Sequence, residues 1–411
     1  MSPLRSRKPA GKTVEPDASR GTPRNSEEPR NSNPRNSEEL RGTPRNSVRG
    51  TPRNQIDFSL ATPEDDEPIR RLLARNAVPG RIRIRYEREP DYFTGCRTMG
   101  ATQVLVARSD GAVVGVACRS VRPLYINGEP AVVGYLGQLR VDRDFRGRWL
   151  VSRGFRMLRE LHREDPPRGY VTTIIEGNDE AEGVLVRRAR GAMPLYRKID
   201  RLMTLAIRAG RGRTILTPAE RRPLAEIVAF LQRQGRRRNF FPVYSESDFS
   251  SGAMRGFQES DFVTVEKDGR LAGVAGLWDQ RAFKQTIVDA YESVMQIARP
   301  FYNVAAAMAG RPRLPRPGTA LPLACGVCFC VADDDPDVAR ELIELLLTRA
   351  AERRIDQLLI GFTESDPLLE VARRFPHVAY PAAVYTVGWE NENDLHDQLD
   401  TRPRYLEIAA L

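Results

Sequence analysis

Histidine and cysteine are scarce in this chain, three and five among 411 residues. His162, His377 and His396 stand far apart, with no triad or metal-ligand spacing between them. Five cysteines, an odd number in no repeating framework, exclude a disulfide scaffold and fit reduced thiols in a cytosol. Cys325, Cys328 and Cys330 lie close together, but no second Cys pair stands at zinc spacing, so they read as core thiols and no metal is expected. No apolar run approaches the roughly 20 residues that a membrane span requires. The start, MSPLRSRKPAGK, has positive charge with no apolar segment after it, so no secretory signal is visible and a cytoplasmic location is expected.

Apolar residues are almost missing from the first 55 positions. Pro-Arg-Asn recurs there at Pro23, Pro29, Pro34, Pro44 and Pro52, and Arg-Gly-Thr-Pro-Arg-Asn appears whole at Arg20, Arg41 and Arg49. Such a segment cannot bury enough surface to offset the entropy of ordering, so a disordered tail is expected. It holds 12 Lys and Arg against 6 Asp and Glu, and so carries most of the chain's net charge of +10. The basic excess therefore says little about the folded part. Acidic pairs at Glu27-Glu28 and Glu38-Glu39 interrupt it, which leaves at most a weak attraction for nucleic acid through the tail.

The richest chemistry lies in residues 141–161, VDRDFRGRWLVSRGFRMLREL. The extended apolar segment 131–141 (AVVGYLGQLRV) runs into a basic turn at Arg146-Gly147-Arg148. An amphipathic helix follows, with Val151, Phe155, Leu158 and Leu161 on one face. A strand feeding a basic turn at a helix N-terminus is an anion site, because the first-turn N–H groups and the helix dipole both favour phosphate. Two strand-like runs precede it, 103–108 (QVLVAR) and 112–121 (AVVGVACRSV), and Asn127-Gly128 marks a hairpin turn. Another strand follows at 170–176 (YVTTIIE), then Asn178-Asp-Glu-Ala181 opens a short helix. Upstream, 57–61 reads as a strand, and Thr62, Pro63 and Asp65 form a helix start.

This order resembles the GCN5-related N-acetyltransferase superfamily, whose members use acyl-coenzyme A. In that family the turn reads Arg/Gln-x-x-Gly-x-Gly/Ala, and its backbone N–H groups hold the coenzyme's pyrophosphate. Arg146, Gly147 and Arg148 match its opening, Ser152 the small polar residue after it, and Asn178 and Ala181 the Asn-x-x-Ala after the fifth strand. The resemblance implies a coenzyme site at Leu139, Val141, Arg146, Gly147, Arg148, Trp149, Leu150, Val151, Ser152 and Asn178. The backbone near 139–141 would polarise the thioester carbonyl, and the acetyl group of acetyl-CoA would pass to an amine by direct attack. Three departures stand out. The two motif glycines are Trp149 and Val151, the position of the family's acid tyrosine is Leu185, and the fourth-strand carboxylate falls at Gly137 or Gln138. General acid and base are therefore unassigned, with Tyr135 and Tyr196 as candidates. A non-catalytic acyl-CoA binder or scaffold, and a transferase using an RNA-linked aminoacyl donor, stand as alternatives.

After a basic linker near 208–213 the same grammar repeats. A helix that starts at Thr217-Pro218 and runs through Ala225 to Gln232, strand-like 262–266 and 271–278, a long apolar strand at 321–331 and an amphipathic helix at 337–354 follow in order. The turn before that helix is Ala332-Asp-Asp-Asp-Pro336, whose acids would repel a pyrophosphate. The expected architecture is an α/β protein with mixed sheets: tail 1–55, an acetyltransferase-like domain at 56–208, a degenerate one at 214–392, and an extension at 393–411. Arg236-Arg237-Arg238 before Phe240-Phe241 reads as a charged helix end beside a buried aromatic pair.

A chain shortened to begin at Gln55 is expected to keep its melting temperature and its coenzyme affinity, since the tail has no apolar periodicity with which to dock. Thermal unfolding and calorimetry of both lengths check this; a loss of several degrees would show that the tail packs.

Overall fold

The computed structural model describes residues 56–77, 82–146, 148–187, 193–209, 222–251, 253–308, 313–389 and 395–411. The expectation of a disordered tail thus lies outside the described residues, as do the linker residues 210–213 and the helix start at Thr217-Pro218. The first half contains β1 (Ile56–Leu60), α1 (Asp66–Arg75), β2 (Ile82–Glu87), α2 (Tyr92–Arg97), β3 (Ala101–Ser109), β4 (Ala112–Ile126) and β5 (Glu129–Val141). It continues with α3 (Arg148–Glu164), β6 (Tyr170–Ile175), α4 (Asp179–Leu185) and β7 (Leu195–Arg208). The second half has α5 (Leu224–Gly235), α6 (Glu246–Ser250), β8 (Phe262–Lys267), β9 (Arg270–Trp278), β10 (Gln285–Tyr291) and α7 (Ser293–Met308). Then come β11 (Leu323–Val331), α8 (Pro336–Glu352), β12 (Gln357–Thr363), α9 (Leu369–Arg373), β13 (His377–Gly388) and α10 (Leu395–Gln398).

Local chemistry explains the boundaries. Thr62 and Asp65 form a reciprocal capping box, with the Thr62 N–H donating to Asp65 Oδ2 at 2.8 Å, and a short 3-10 turn at Pro63–Asp65 leads into α1. Asn127 (φ 54°) and Gly128 (φ 85°) supply the two left-handed residues that a tight hairpin between β4 and β5 demands. In α3, Val151, Phe155, Leu158 and Leu161 are buried together with Leu105 and Leu136 of the sheet, as the helical spacing predicts.

Among the described residues, eleven strands form one mixed sheet in the order β1-β3-β4-β5-β6-β13-β7-β12-β11-β9-β8. The halves exchange their last strands. β13, from the second half, pairs antiparallel with β6, while β7, from the first half, pairs with β12. At the centre β7 and β13 pair along their lengths, from Ile207↔His377 to Leu195↔Gly388. The boundary expected near residue 208 therefore coincides with no break in the sheet, and Arg53–Leu411 forms one compact unit. A second, two-stranded sheet also joins the halves: β2 pairs antiparallel with β10, with Glu87 opposite Gln285.

Buried charges lock the second half. Arg238 and Asp366 have side chains 2% and 1% exposed and meet in a bidentate pair at 2.8 and 3.1 Å, with Asp334 bound to Arg238 at 2.6 Å. Of the basic run 236–238 only Arg238 is buried; Arg236 is exposed and Arg237 pairs with the exposed Asp333. Replacing Arg238 by Met strands Asp366 in the core, and the expected loss is about 3–5 kcal/mol of unfolding free energy in urea titration. The double change Arg238→Met with Asp366→Leu is expected to recover a good part of it; an Arg238→Met protein as stable as the parent would contradict this assignment.

Candidate active site

The first half opens its sheet beside the basic turn. β5 and β6 pair in parallel only at Gly134↔Tyr170 and Tyr135↔Val171, although β5 runs on to Val141 and β6 to Ile175. The strands separate beyond that point. A bulge accompanies the separation: the β4–β5 register shifts between Val116 and Cys118, and Gln138 takes a left-handed φ of 56°. Leu139 on one edge and Ile175 on the other remain exposed. Two hydrogen bonds tie the apex, Thr172 Oγ1 donating to the Leu136 carbonyl at 2.6 Å and Tyr135 Oη meeting Thr173 Oγ1 at 3.1 Å.

The site residues expected from sequence divide into two groups. Leu139 and Val141 lie on the free arm of β5, and Trp149, Leu150, Val151 and Ser152 lie on the first turn of α3 directly after it. Leu150 and Val151 turn their side chains into the core, so only their backbone can face a ligand. Trp149 is 52% exposed, so its indole stands out from the helix rather than filling its N-terminus. Arg146 Nη1 donates to Glu180 Oε2 at 2.9 Å and Nη2 to Asn76 Oδ1 at 3.0 Å, which staples the turn to α4 and to the end of α1. Gly147 and the side chain of Arg148 lie outside the described residues. Asn178 caps α4, accepting from the Ala181 N–H at 3.2 Å, which gives its Asn-x-x-Ala spacing a local structural reason. Leu185 is buried against the α3 cluster.

Both candidate tyrosines are poor acids. Burial pushes Tyr135 and Tyr196 above the ordinary phenol value. Tyr196 also packs its ring edge-on against Phe155 and Tyr385, in the core beside α3.

The second half repeats the bulge and fills it. β11 pairs with β12 only at Leu323↔Gln357, Ala324↔Leu358 and Cys325↔Leu359, then bulges against β9, with Cys328 at φ 53°. Into this opening runs the C-terminal segment. Glu407 Oε2 accepts from the Cys328 N–H at 2.9 Å, Tyr244 Oη at 3.0 Å and Tyr405 Oη at 2.8 Å. Ile408 lies over Gly361, where any added Cβ would come within 2.2 Å of it. The three acids before α8 are neutralised in turn, Asp333 by Arg237 at 2.7 Å, Asp334 by Arg238 at 2.6 Å and Asp335 by Lys267 at 2.6 Å. Asp335 also caps α8 through the Asp337 N–H at 2.9 Å. Cys328 and Cys330 are buried, and among the described residues no group of three His, Cys, Asp or Glu is placed to hold a metal ion.

Sequence reasoning missed three basic residues that the fold brings together. Arg88, after β2, Arg140, on β5, and Lys284, before β10, come from segments with no shared motif.

No family model and no curated protein matches this chain. Its fold, however, is that of known structures. Two structures of Saccharomyces cerevisiae N-myristoyltransferase with bound myristoyl-CoA superpose with a TM-score of 0.53 at 10% identity, one covering 87% of this chain and 86% of that one, the other 89% and 94%. A GCN5-related glucosamine N-acetyltransferase region of a fungal multi-domain GH3 β-N-acetylglucosaminidase matches with a TM-score of 0.53 at 11% identity, over 82% of this chain and 38% of that one. The protein thus has the GCN5-related N-acetyltransferase fold.

Because the indole of Trp149 already stands clear of the helix start, Trp149→Gly is expected to change coenzyme affinity by no more than about twofold in calorimetry. Tightening by tenfold or more, about 1.4 kcal/mol, would show that the ring obstructs the phosphate path.

Proposed function

We propose that this protein is an acyl-CoA-dependent N-acyltransferase that moves an acetyl group from acetyl-CoA to an amine. The observation that carries the reading is the opening between β5 and β6, which leads from a bulged strand to the basic turn at the start of α3. The pyrophosphate would sit on the first-turn N–H groups of α3, where the helix dipole favours it. The pantetheine arm would lie between the exposed Leu139 and Ile175, adding to the free edge of β5. The thioester carbonyl would meet backbone N–H groups at 139–141, and developing negative charge there is stabilised by fixed donors. The amine nitrogen attacks the carbonyl carbon, the C–N bond forms and the C–S bond breaks; the nitrogen sheds a proton to solvent, and coenzyme A leaves as the thiolate and takes up a proton from solvent. Holding both reactants together supplies much of the rate.

The second half would carry no coenzyme. Its opening is filled by Glu407 and Ile408, and its helix start is capped and neutralised by its own acids. With Arg146 anchoring the turn, Arg146→Ala is expected to weaken acetyl-CoA binding at least fivefold in calorimetry. Glu370→Ala, at an exposed position of α9 in the second half, should leave it unchanged. Thiol release from acetyl-CoA and from longer acyl-CoAs, measured over a panel of amines, separates an acetyltransferase from a binder and fixes the acyl length. No detectable binding at millimolar acetyl-CoA would overturn the site.

A further inference from the structure

The pairing of β2 with β10 has a consequence at its end. Glu87 lies opposite Gln285, so the next residue on one strand, Arg88, and the preceding residue on the other, Lys284, emerge side by side. Both stems converge on Gly95 of α2. A Cβ there would lie 2.8 Å from Arg88 Cδ, 3.1 Å from Arg88 Nε and 3.6 Å from Lys284 Cγ, so only glycine leaves room for the two cations together. Arg140, on the free arm of β5, faces the same surroundings from the sheet, next to Tyr86, Tyr92 and Cys118.

Three cations in one enclosed place call for anions, and among the described residues none is paired with a carboxylate. Arg88 Nη1 donates to the Glu87 carbonyl at 3.0 Å, Arg140 Nη1 to the Leu139 carbonyl at 2.8 Å, and Lys284 Nζ to the Ala409 carbonyl at 2.6 Å. The nearby carboxylate of Glu407 accepts from Cys328, Tyr244 and Tyr405 through Oε2 alone, and it acts on Lys284 through its charge without a hydrogen bond. Burial pulls the Lys284 ammonium down to about 7, and the Arg88 charge adds to this. Burial acts the same way on Arg88 and Arg140. Lys284 and Arg140 nonetheless keep part of their surface accessible. Unpaired charge held out of water is costly, and a bound oxyanion relieves that cost.

The place of this recess assigns the ligand. Leu105 and Leu136 pack under α3, whereas Val104, Val106 and Cys118 pack with α1 and α2 on the opposite face. Arg140 belongs to the α2 face, so the cluster lies across the sheet from the α3 turn, beside the end of β5 where the opening lies. We propose that Arg88, Arg140 and Lys284 bind an oxyanion group, carboxylate or phosphate, carried by the acyl acceptor, so that the acceptor is an anionic amine. This rests on the acyltransferase reading for the word acceptor; the oxyanion site itself does not. The cationic surroundings also favour the neutral, nucleophilic form of the acceptor amine, which eases the want of a dedicated base.

Calorimetry on the full chain, with and without coenzyme A, tests this with matched probes: glycine against glycinamide, β-alanine against its amide, and O-phosphoethanolamine against ethanolamine. The anionic member of at least one pair is expected to bind about tenfold or more tightly than its neutralised partner, and the pair that does so distinguishes carboxylate from phosphate. Arg88→Met is expected to abolish that preference with coenzyme A affinity unchanged, Arg88→Lys to restore part of it, and Arg140→Met to abolish it as well. Anion affinity should also fall between pH 6.5 and 8.5 as Lys284 loses its proton, and stay flat in Lys284→Met. The groups facing Lys284 are Arg88, Cys96 of α2, Cys325 of β11 and Glu407 of the C-terminal segment. The Cys118 thiol lowers the Cys96 thiol from its ordinary value and burial raises the Glu407 carboxyl, so the Lys284→Met comparison is what separates their titration from that of Lys284. Amides that bind as well as the acids, or no anion binding while coenzyme A binds, would overturn the inference and leave the acyltransferase reading standing. Anion binding without coenzyme A binding would do the reverse. Comparison within the parent protein keeps the test decisive if a variant fails to fold.

Discussion

The antiparallel pairing of β7 with β13 is the constraint on which the rest depends. Each strand closes the half that did not contribute it: β13 hydrogen-bonds β6, and β7 hydrogen-bonds β12. Neither half can complete its sheet alone, because removing either strand exposes the backbone of an edge that is otherwise central. The exchange also fixes the geometry of the opening beside α3. β6 is held on one side by β13 along its length, so the gap can form only on its other side, against β5.

Both halves store the same backbone strain, at Gln138 and at Cys328, each a non-glycine residue in left-handed conformation. A residue held there costs of order 1–3 kcal/mol and persists only where its surroundings demand it. In the second half the demand is met internally: the Cys328 N–H donates to Glu407, whose carboxylate also holds two tyrosines. In the first half the bulge adjoins an exposed leucine. The same element thus serves as a packed joint in one half and as an open edge in the other. The difference comes from where the C-terminal segment lies.

Local order was readable in the sequence, and the reason is periodicity. The stripe Val151, Phe155, Leu158 and Leu161 marks α3, Asn127-Gly128 marks the hairpin, and the acids of 333–335 mark a helix start that caps itself. The strand exchange was not readable, since nothing in 195–208 or 377–388 marks which half each strand completes. The recess of Arg88, Arg140 and Lys284 was hidden for a related reason. Its residues come from three segments joined by long-range strand pairing, and no local pattern records a register such as Glu87 with Gln285. Asn178 illustrates the converse: a motif position matched in sequence has an evident local role, as the cap of α4.

The exchanged strands bear on how this chain acquires its structure as it is made. β6 is synthesised long before β13, and β7 long before β12, so the first half must wait with unsatisfied strand edges until the second is present. Contacts between residues so distant in sequence carry a large loop-closure cost and slow the approach to the native state. The nascent first half, with β1, β3, β4 and β5 already able to pair, presents the bare edge of β6 as a template for any stray extended segment. A chaperone that shields that edge until residues 377–388 emerge would protect the step at which the two halves become one protein.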